Sequence, residues 1–394
     1  MRRREWQLWT GLLLVGVGTL LILLRWSSVE WTLTTERSPT APLILTPEPI
    51  VPTRTPTTGT ATGPLVRAAS IEIVTTTHVT SAPQGMDGGS ALWLEQSRWG
   101  IGVASGPISR YDVESLRLGW YLDWTTQTDP PRPDGVAYVQ MIRLGGGVLR
   151  PDGEEIAAIA RANSGSLWLV GNEPDVIWQD NVEPATYAQL YHDAYTVVKD
   201  ADPTAQVAIG GVSQPTPLRL RYLDAVLRAY RQQFGMEMPI DVWNVHNFIL
   251  REERGSWGVD IPPGLQDDQG MLYEIDDSDN LDTFRQQIVD FRQWMTQRGY
   301  QETPLIVSEY GILMPADYGF PPERVAAFVT STFDFFLTAA DPALGYPEDD
   351  YRLVQSWYWY SLDDPADHYP TGNLFNPQTE AITAVGEAWV RYVE

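Results

Sequence analysis

The sequence predicts a (β/α)8 barrel, preceded by a transmembrane helix and a disordered Thr/Pro-rich stalk. Beyond about residue 90, the 394-residue chain alternates eight short apolar runs with amphipathic stretches. The runs are near-continuous rather than alternating, as expected of parallel strands covered on both faces. No Gly-x-Gly-x-x-Gly loop follows the first run, which argues against an open dinucleotide-binding sheet. Eight such units point to a barrel.

The amino terminus comes first. Arg2, Arg3 and Arg4 precede an uncharged apolar stretch from Trp6 to Leu24, closed by Arg25 and Trp26. That length can cross a bilayer as a helix. The arginine bias places the amino terminus in the cytoplasm and the rest outside. Residues 1–27 are therefore expected to be a cytoplasmic tip and signal-anchor in the cell membrane, with secretion after signal cleavage as the alternative. Residues 28–89 are rich in Thr, Pro, Ser, Ala and Gly. They bury too little apolar surface to offset their ordering entropy and read as a disordered linker. Within them, Ile71–Thr77 is a weak strand candidate.

Residues 90–394 carry the folded domain. Strands are expected within 100–105, 118–124, 136–143, 167–173, 206–213, 241–248, 304–311 and 353–360. Helical spacing links Leu220, Leu223, Leu227, Tyr230 and Phe234. It also links Leu281, Phe284, Ile288, Phe291 and Met295, with Asp279 or Asn280 as N-cap. Pro184 and Pro321-Pro322 sit where helices begin, and a last helix is expected from Thr379 to Tyr392. The first unit offers only residues near Asp112 to Leu116 for its helix.

Composition narrows the function. The net charge of −24 disfavours nucleic acid and anionic surfaces as partners but suits an uncharged ligand. There is no cysteine, which rules out disulfides and thiolate metal sites. The four histidines, His78, His192, His246 and His368, show no zinc spacing. No cofactor and no metal are expected, and a monomer is the simplest expectation.

Two glutamates carry the chemistry. Glu173 ends the fourth run, in Gly171-Asn-Glu-Pro174, and Glu309 ends the seventh, in Ser308-Glu-Tyr-Gly311. Carboxylates at buried strand ends are costly without a purpose, and barrel enzymes place catalytic groups there. Two opposed carboxylates on a rigid scaffold are what glycoside hydrolysis needs.

These motifs, with the closing segment Gly372-Asn-Leu-Phe-Asn-Pro-Gln and Ala384-Val-Gly-Glu-Ala-Trp389, resemble the retaining glycoside hydrolases of clan GH-A. The likeness is loosely closest to the small β-glucan-cleaving branch with its glycosyl hydrolase catalytic core. The resemblance implies that Glu173 is the general acid/base, Glu309 the nucleophile, and Asn172 the partner of the sugar 2-hydroxyl. An acid held protonated asks for a raised pKa, whereas a nucleophile must stay ionised.

His246 ends the sixth run, where the resembling barrels carry His before an aromatic pair. Asn247-Phe248 follows instead, leaving no tyrosine hydroxyl at position 248 to orient the nucleophile, so Tyr310 is the expected substitute. Trp357 and Trp359 lie two apart and share one face of a strand. One of them is expected to floor a sugar subsite, since sugar C–H faces stack on aromatic rings. Trp124 and Trp178 are further sugar-binding candidates, with Trp120 and Tyr121 behind them, while Trp168 and Trp243 read as core. The long segment Ile249–Asp279 reads as a cleft wall, and its acidic run Asp276-Asp-Ser-Asp279 as a solvated cap rather than a calcium site.

The expected function is thus a membrane-tethered, extracytoplasmic glycoside hydrolase cleaving a neutral glycan with retention. The alternative is a carbohydrate-binding or wall-associated protein on a barrel that has lost catalysis.

Overall fold

A computed structural model describes residues 98–394. The predicted membrane helix, the linker and the strand candidate Ile71–Thr77 lie outside the described residues. Among the described residues no helix is long and apolar enough to cross a membrane.

Each of the eight apolar runs contains strand. The strands are β1 (Trp99–Gly102), β2 (Trp120–Leu122), β3 (Ala137–Tyr138), β4 (Gln140–Ile142), β5 (Leu167–Val170), β6 (Gln206–Ile209), β7 (Trp243–His246), β8 (Leu305–Tyr310) and β9 (Ser356–Trp359). The third run is split into β3 and β4 at Val139. All strand pairings are parallel. They form a six-stranded sheet, β3-β2-β1-β9-β8-β7, and a three-stranded sheet, β4-β5-β6. Isolated parallel bridges Ala208–Val242 and Val212–Val245 join β6 to the start and end of β7. The fold is parallel α/β.

The near-continuous apolar runs have a direct cause. Trp120, Leu122, Met141, Leu169, Ile306 and Tyr358 form one buried cluster that contains no helix residue. Their strand neighbours Tyr121, Ile142, Trp168, Val307, Trp357 and Trp359 belong to a second, larger cluster with the helix faces. Both faces of each strand are therefore dry, and period-two polarity is lost.

The helices are α1 (Gly153–Ala162), α2 (Pro184–Ala201), α3 (Pro217–Phe234), α4 (Leu281–Gln297), α5 (Pro322–Thr338) and α6 (Ala384–Val393). Proline opens α2, α3 and α5, where its missing N–H costs nothing. The Asn280 side chain caps α4 by accepting from the Thr283 N–H at 2.9 Å. The expected strict strand–helix alternation fails at its first two units. Between β1 and β2 there are only 3-10 turns, Ile108–Arg110 and Glu114–Leu116, and between β2 and β3 only Pro133–Gly135. These links are short and broken by Gly106-Pro107 and by Pro130, Pro131 and Pro133, so no helix propagates.

Candidate active site

Glu173 lies three residues beyond β5 and is held in the left-handed region at φ +42°. That conformation is uncommon for a residue with a long side chain and persists only where its surroundings enforce it. The enforcement is visible. The Glu173 N–H donates to the Gly211 carbonyl at 3.1 Å. The buried Asp180 carboxylate accepts from the N–H groups of Leu144 and Asn172 at 3.0 and 2.8 Å, and from Arg143 Nε at 2.9 Å. Behind the glutamate, buried Asp175 accepts from Ser213 Oγ at 2.9 Å and pairs with Arg219 at 2.8 Å.

Glu309 sits within β8. His246, at the end of β7, stands between the two acids. Its Nδ1 is 3.1 Å from Glu173 Oε1, and its Nε2 is 3.9 Å from Glu309 Oε2. A Cβ at Gly211 would collide with this imidazole, so glycine there makes room for it. One oxygen of each glutamate and one imidazole nitrogen all lie within 4.8 Å of one another. Among the described residues, this trio is the one set of side chains that could also grip a cation.

Burial pushes the Glu309 carboxyl up to about 7. His246 pulls it down, the Glu173 charge raises it further, and Trp124 and Arg143 lower it. Burial alone would depress the His246 imidazole, but the Glu309 charge and the Glu173 hydrogen bond more than offset it, so it is raised. Two carboxylates this close do not ionise independently; the site titrates as a unit. Burial thus raises the carboxyl of Glu309, the residue that the resemblance makes the nucleophile. The sign for catalysis follows. Below about pH 7 Glu309 is increasingly protonated, so if its carboxylate is the attacking group, kcat/KM should fall about tenfold per pH unit there. An acid limb centred near 4 in a pH–rate profile would contradict this.

A cavity of about 510 Å3 opens over the carboxylates, within the ~300–1,000 Å3 usual for small-ligand sites. Trp124, Asn172, Trp178, Phe248 and Tyr360 line it together with both glutamates. Asn172 Oδ1 is buried and has no hydrogen-bond partner among the described residues. An orphaned acceptor of this kind costs roughly 1–3 kcal/mol, which a ligand hydroxyl would offset. Trp178 is 73% exposed on the rim, a bare ring available for stacking.

Residues 102–257 match the family model described as a glycosyl hydrolase catalytic core. No curated protein sequence matches the chain. Among solved structures, the chain is similar to a GH128 (subgroup II) endo-β-1,3-glucanase from Pseudomonas viridiflava. That pair is 14% identical over 75% of this chain and 97% of that one, with a TM-score of 0.50. A glucosidase from Croceicoccus marinus is also 14% identical, over 75% of this chain and 66% of that one, at TM-score 0.50. The chain is a glycoside hydrolase.

Several expected site residues lie elsewhere in this hydrolase. Tyr310 is fully buried, its hydroxyl 3.3 Å from Thr332 Oγ1 and its ring against Phe284, Phe336 and Trp359. Because side chains alternate along a strand, the neighbour of cleft-facing Glu309 must face the helices. Trp357 and Trp359 do share a face, but it is the same helix-covered one. Trp357 packs on Phe333 and Phe336, and the Trp359 Nε1 donates to the Gly372 carbonyl at 2.7 Å. Neither lines the cavity. Trp120 and Tyr121 are also buried, in the inner and outer clusters respectively.

Tyr360, one position further, is the aromatic that β9 delivers to the cleft. Its hydroxyl donates to buried Asp364 at 2.9 Å, which also meets His368 Nδ1 at 2.9 Å. Arg143 and Gln179 complete the other side. Sequence reasoning missed these, although Tyr360 follows from the same alternation that excludes Trp359.

Segment Ile249–Asp279 does form a wall, through Leu250, Gly258 and Val259. In its acidic run, Asp279 pairs with Arg324 at 2.6 Å. Arg219 ties this wall down. It is completely buried, pairs with Asp175 and Glu252, and donates to the carbonyls of Val259 and Asp260 at 3.1 Å each. Replacing Arg219 with Met strands two buried carboxylates and should cost about 3–5 kcal/mol. Arg221→Met, which loses only an exposed pair with Asp267, should cost at most about 1 kcal/mol. Urea titration of both variants compares them directly, and equal losses would refute the buried-brace account.

Proposed function

We propose that this enzyme is a retaining glycoside hydrolase of the clan GH-A type, with β-1,3-linked glucan as its substrate class. The observation that carries retention is the spacing: the nearest oxygens of Glu173 and Glu309 lie within 4.8 Å. Retaining enzymes hold their carboxyls about 5–5.5 Å apart, whereas inverting ones need ~6.5–9.5 Å to admit a water. In the first step a Glu309 carboxylate oxygen bonds to the anomeric carbon. The bond from that carbon to the leaving oxygen breaks, and that oxygen takes its electron pair and a proton from Glu173. In the second, Glu173 removes a proton from water as the water oxygen attacks the same carbon and releases Glu309. Asn172 would meet the hydroxyl beside the reacting carbon.

The substrate class rests on the likeness to an endo-β-1,3-glucanase and on a cleft lined by neutral aromatic faces in a chain of charge −24. We read the two sheets as parts of one (β/α)8 barrel. The isolated bridges between β6 and β7 support closure on one side, and the one-residue gap at Val139 supports it on the other. The apolar stretch Trp6–Leu24 supports a cell-membrane anchor with the catalytic domain outside.

The test is proton NMR of the first-formed product anomer from laminarin oligosaccharides. A β product supports retention, and an α product would exclude it. Hydrolysis that required an added divalent cation would instead assign the carboxylate–histidine trio to a metal.

A further inference from the structure

The geometry points to Trp124 as the positioning residue of the nucleophile: its indole N–H fixes Glu309 Oε2, the duty that Phe248, lacking a hydroxyl, cannot perform. This rests on the reading of Glu309 as nucleophile. The Trp124 Nε1 donates to Glu309 Oε2 at 2.9 Å. A carboxylate has two equivalent oxygens and rotates about its last bond, so one anchored oxygen presents the other to the anomeric carbon in a defined direction. Trp124 is within hydrogen-bond distance of that carboxylate, whereas the nearer imidazole nitrogen of His246 stands 3.9 Å away.

Four further features show that the indole is placed rather than merely present. Trp124 is held at φ +59°, a left-handed backbone that a bulky residue rarely adopts. The turn around it is braced by Asp123, whose Oδ1 accepts from the Thr125 N–H at 3.2 Å and from Thr125 Oγ1 at 2.7 Å. The space for the ring is kept open from β1, where a Cβ on Gly102 would stand 2.7 Å from Trp124 Cη2. The ring is then held edge-on by Tyr360, with centroids 5.6 Å apart. A ring serving only as a sugar platform would need none of the alignment between Nε1 and Oε2.

The test separates the N–H from the ring face. Trp124→Phe keeps an aromatic surface and removes the donor. Gly102→Ala keeps the indole and crowds it out of line. For both, kcat should fall roughly 10- to 100-fold with KM within about twofold, the loss expected when a preorganised donor is removed. The acid limb of the pH–rate profile should move to higher pH, because the ionised carboxylate loses its hydrogen bond. Wild-type kcat and acid limb in Trp124→Phe, with KM alone raised, would overturn the assignment and leave Trp124 as a platform. A dinitrophenyl 2-deoxy-2-fluoro-β-glucoside, followed by mass spectrometry, keeps the two readings apart. Wild type that labels at Glu309, and a Trp124→Phe variant that labels equally fast, refutes only the positioning role. Wild type that labels on another residue refutes the nucleophile assignment, and with it this inference.

Discussion

Under the proposed mechanism, Glu309→Gln is expected to lower turnover of β-1,3-glucan by on the order of 10^4-fold or more, because an amide cannot form the glycosyl ester. The change is isosteric, and the amide oxygen can still accept from Trp124 Nε1, so the fold should survive. Stability supplies a second readout. Burial raises the Glu309 carboxyl from 4.5 to about 7, so the folded protein keeps a proton that the unfolded chain releases. Its favourable contribution is complete below about pH 4.5 and is lost as pH rises through 7. Glutamine does not titrate. The Tm of the variant should therefore gain on wild type between pH 5 and pH 8. A Tm difference independent of pH, or activity surviving the substitution, would remove Glu309 from its role.

Glu173→Ala should behave differently on different substrates. Native glycans, whose leaving alkoxide needs a proton, should lose about 10^2- to 10^4-fold. Dinitrophenyl glycosides, whose leaving group needs none, should still form the glycosyl ester and then stall, giving a burst. Added azide should release the stalled sugar as a β-glycosyl azide, since an anionic nucleophile needs no general base. Alanine at φ +42° carries about 1–2 kcal/mol of backbone strain, as glutamate does, so Glu173→Gln is the isosteric control. Equal losses on both substrate types would assign Glu173 to binding or scaffolding.

The strand layout was legible because burial on both faces makes each strand a continuous apolar word. The glutamates were legible because a carboxylate closing such a word violates the pattern around it. The phase of β9 was not, since Trp357, Tyr358, Trp359 and Tyr360 are all aromatic and offer no polar residue to mark a face. Tyr310 could have been excluded from the outset, as an immediate strand neighbour of Glu309 cannot point the same way. The bonds that set Glu173 came from farther off. Asp180 and Arg143 are 37 residues apart, and Asp175 and Ser213 are 38. Pairings at such separations leave no periodic trace in a chain, and neither does the His368–Asp364–Tyr360 cluster, which forms in a loop.

The two acids stand on different sheets, Glu173 beyond β5 and Glu309 on β8, and the boundary between those sheets is thin. Isolated bridges cross it, with backbone bonds such as His246 N–H to the Val212 carbonyl at 2.8 Å. His246 itself belongs to one side and bonds to Glu173 on the other. The side chains of the site therefore act as mortar along a joint that the backbone leaves lightly pointed. A sugar gripped by both glutamates would be one more stone laid across it.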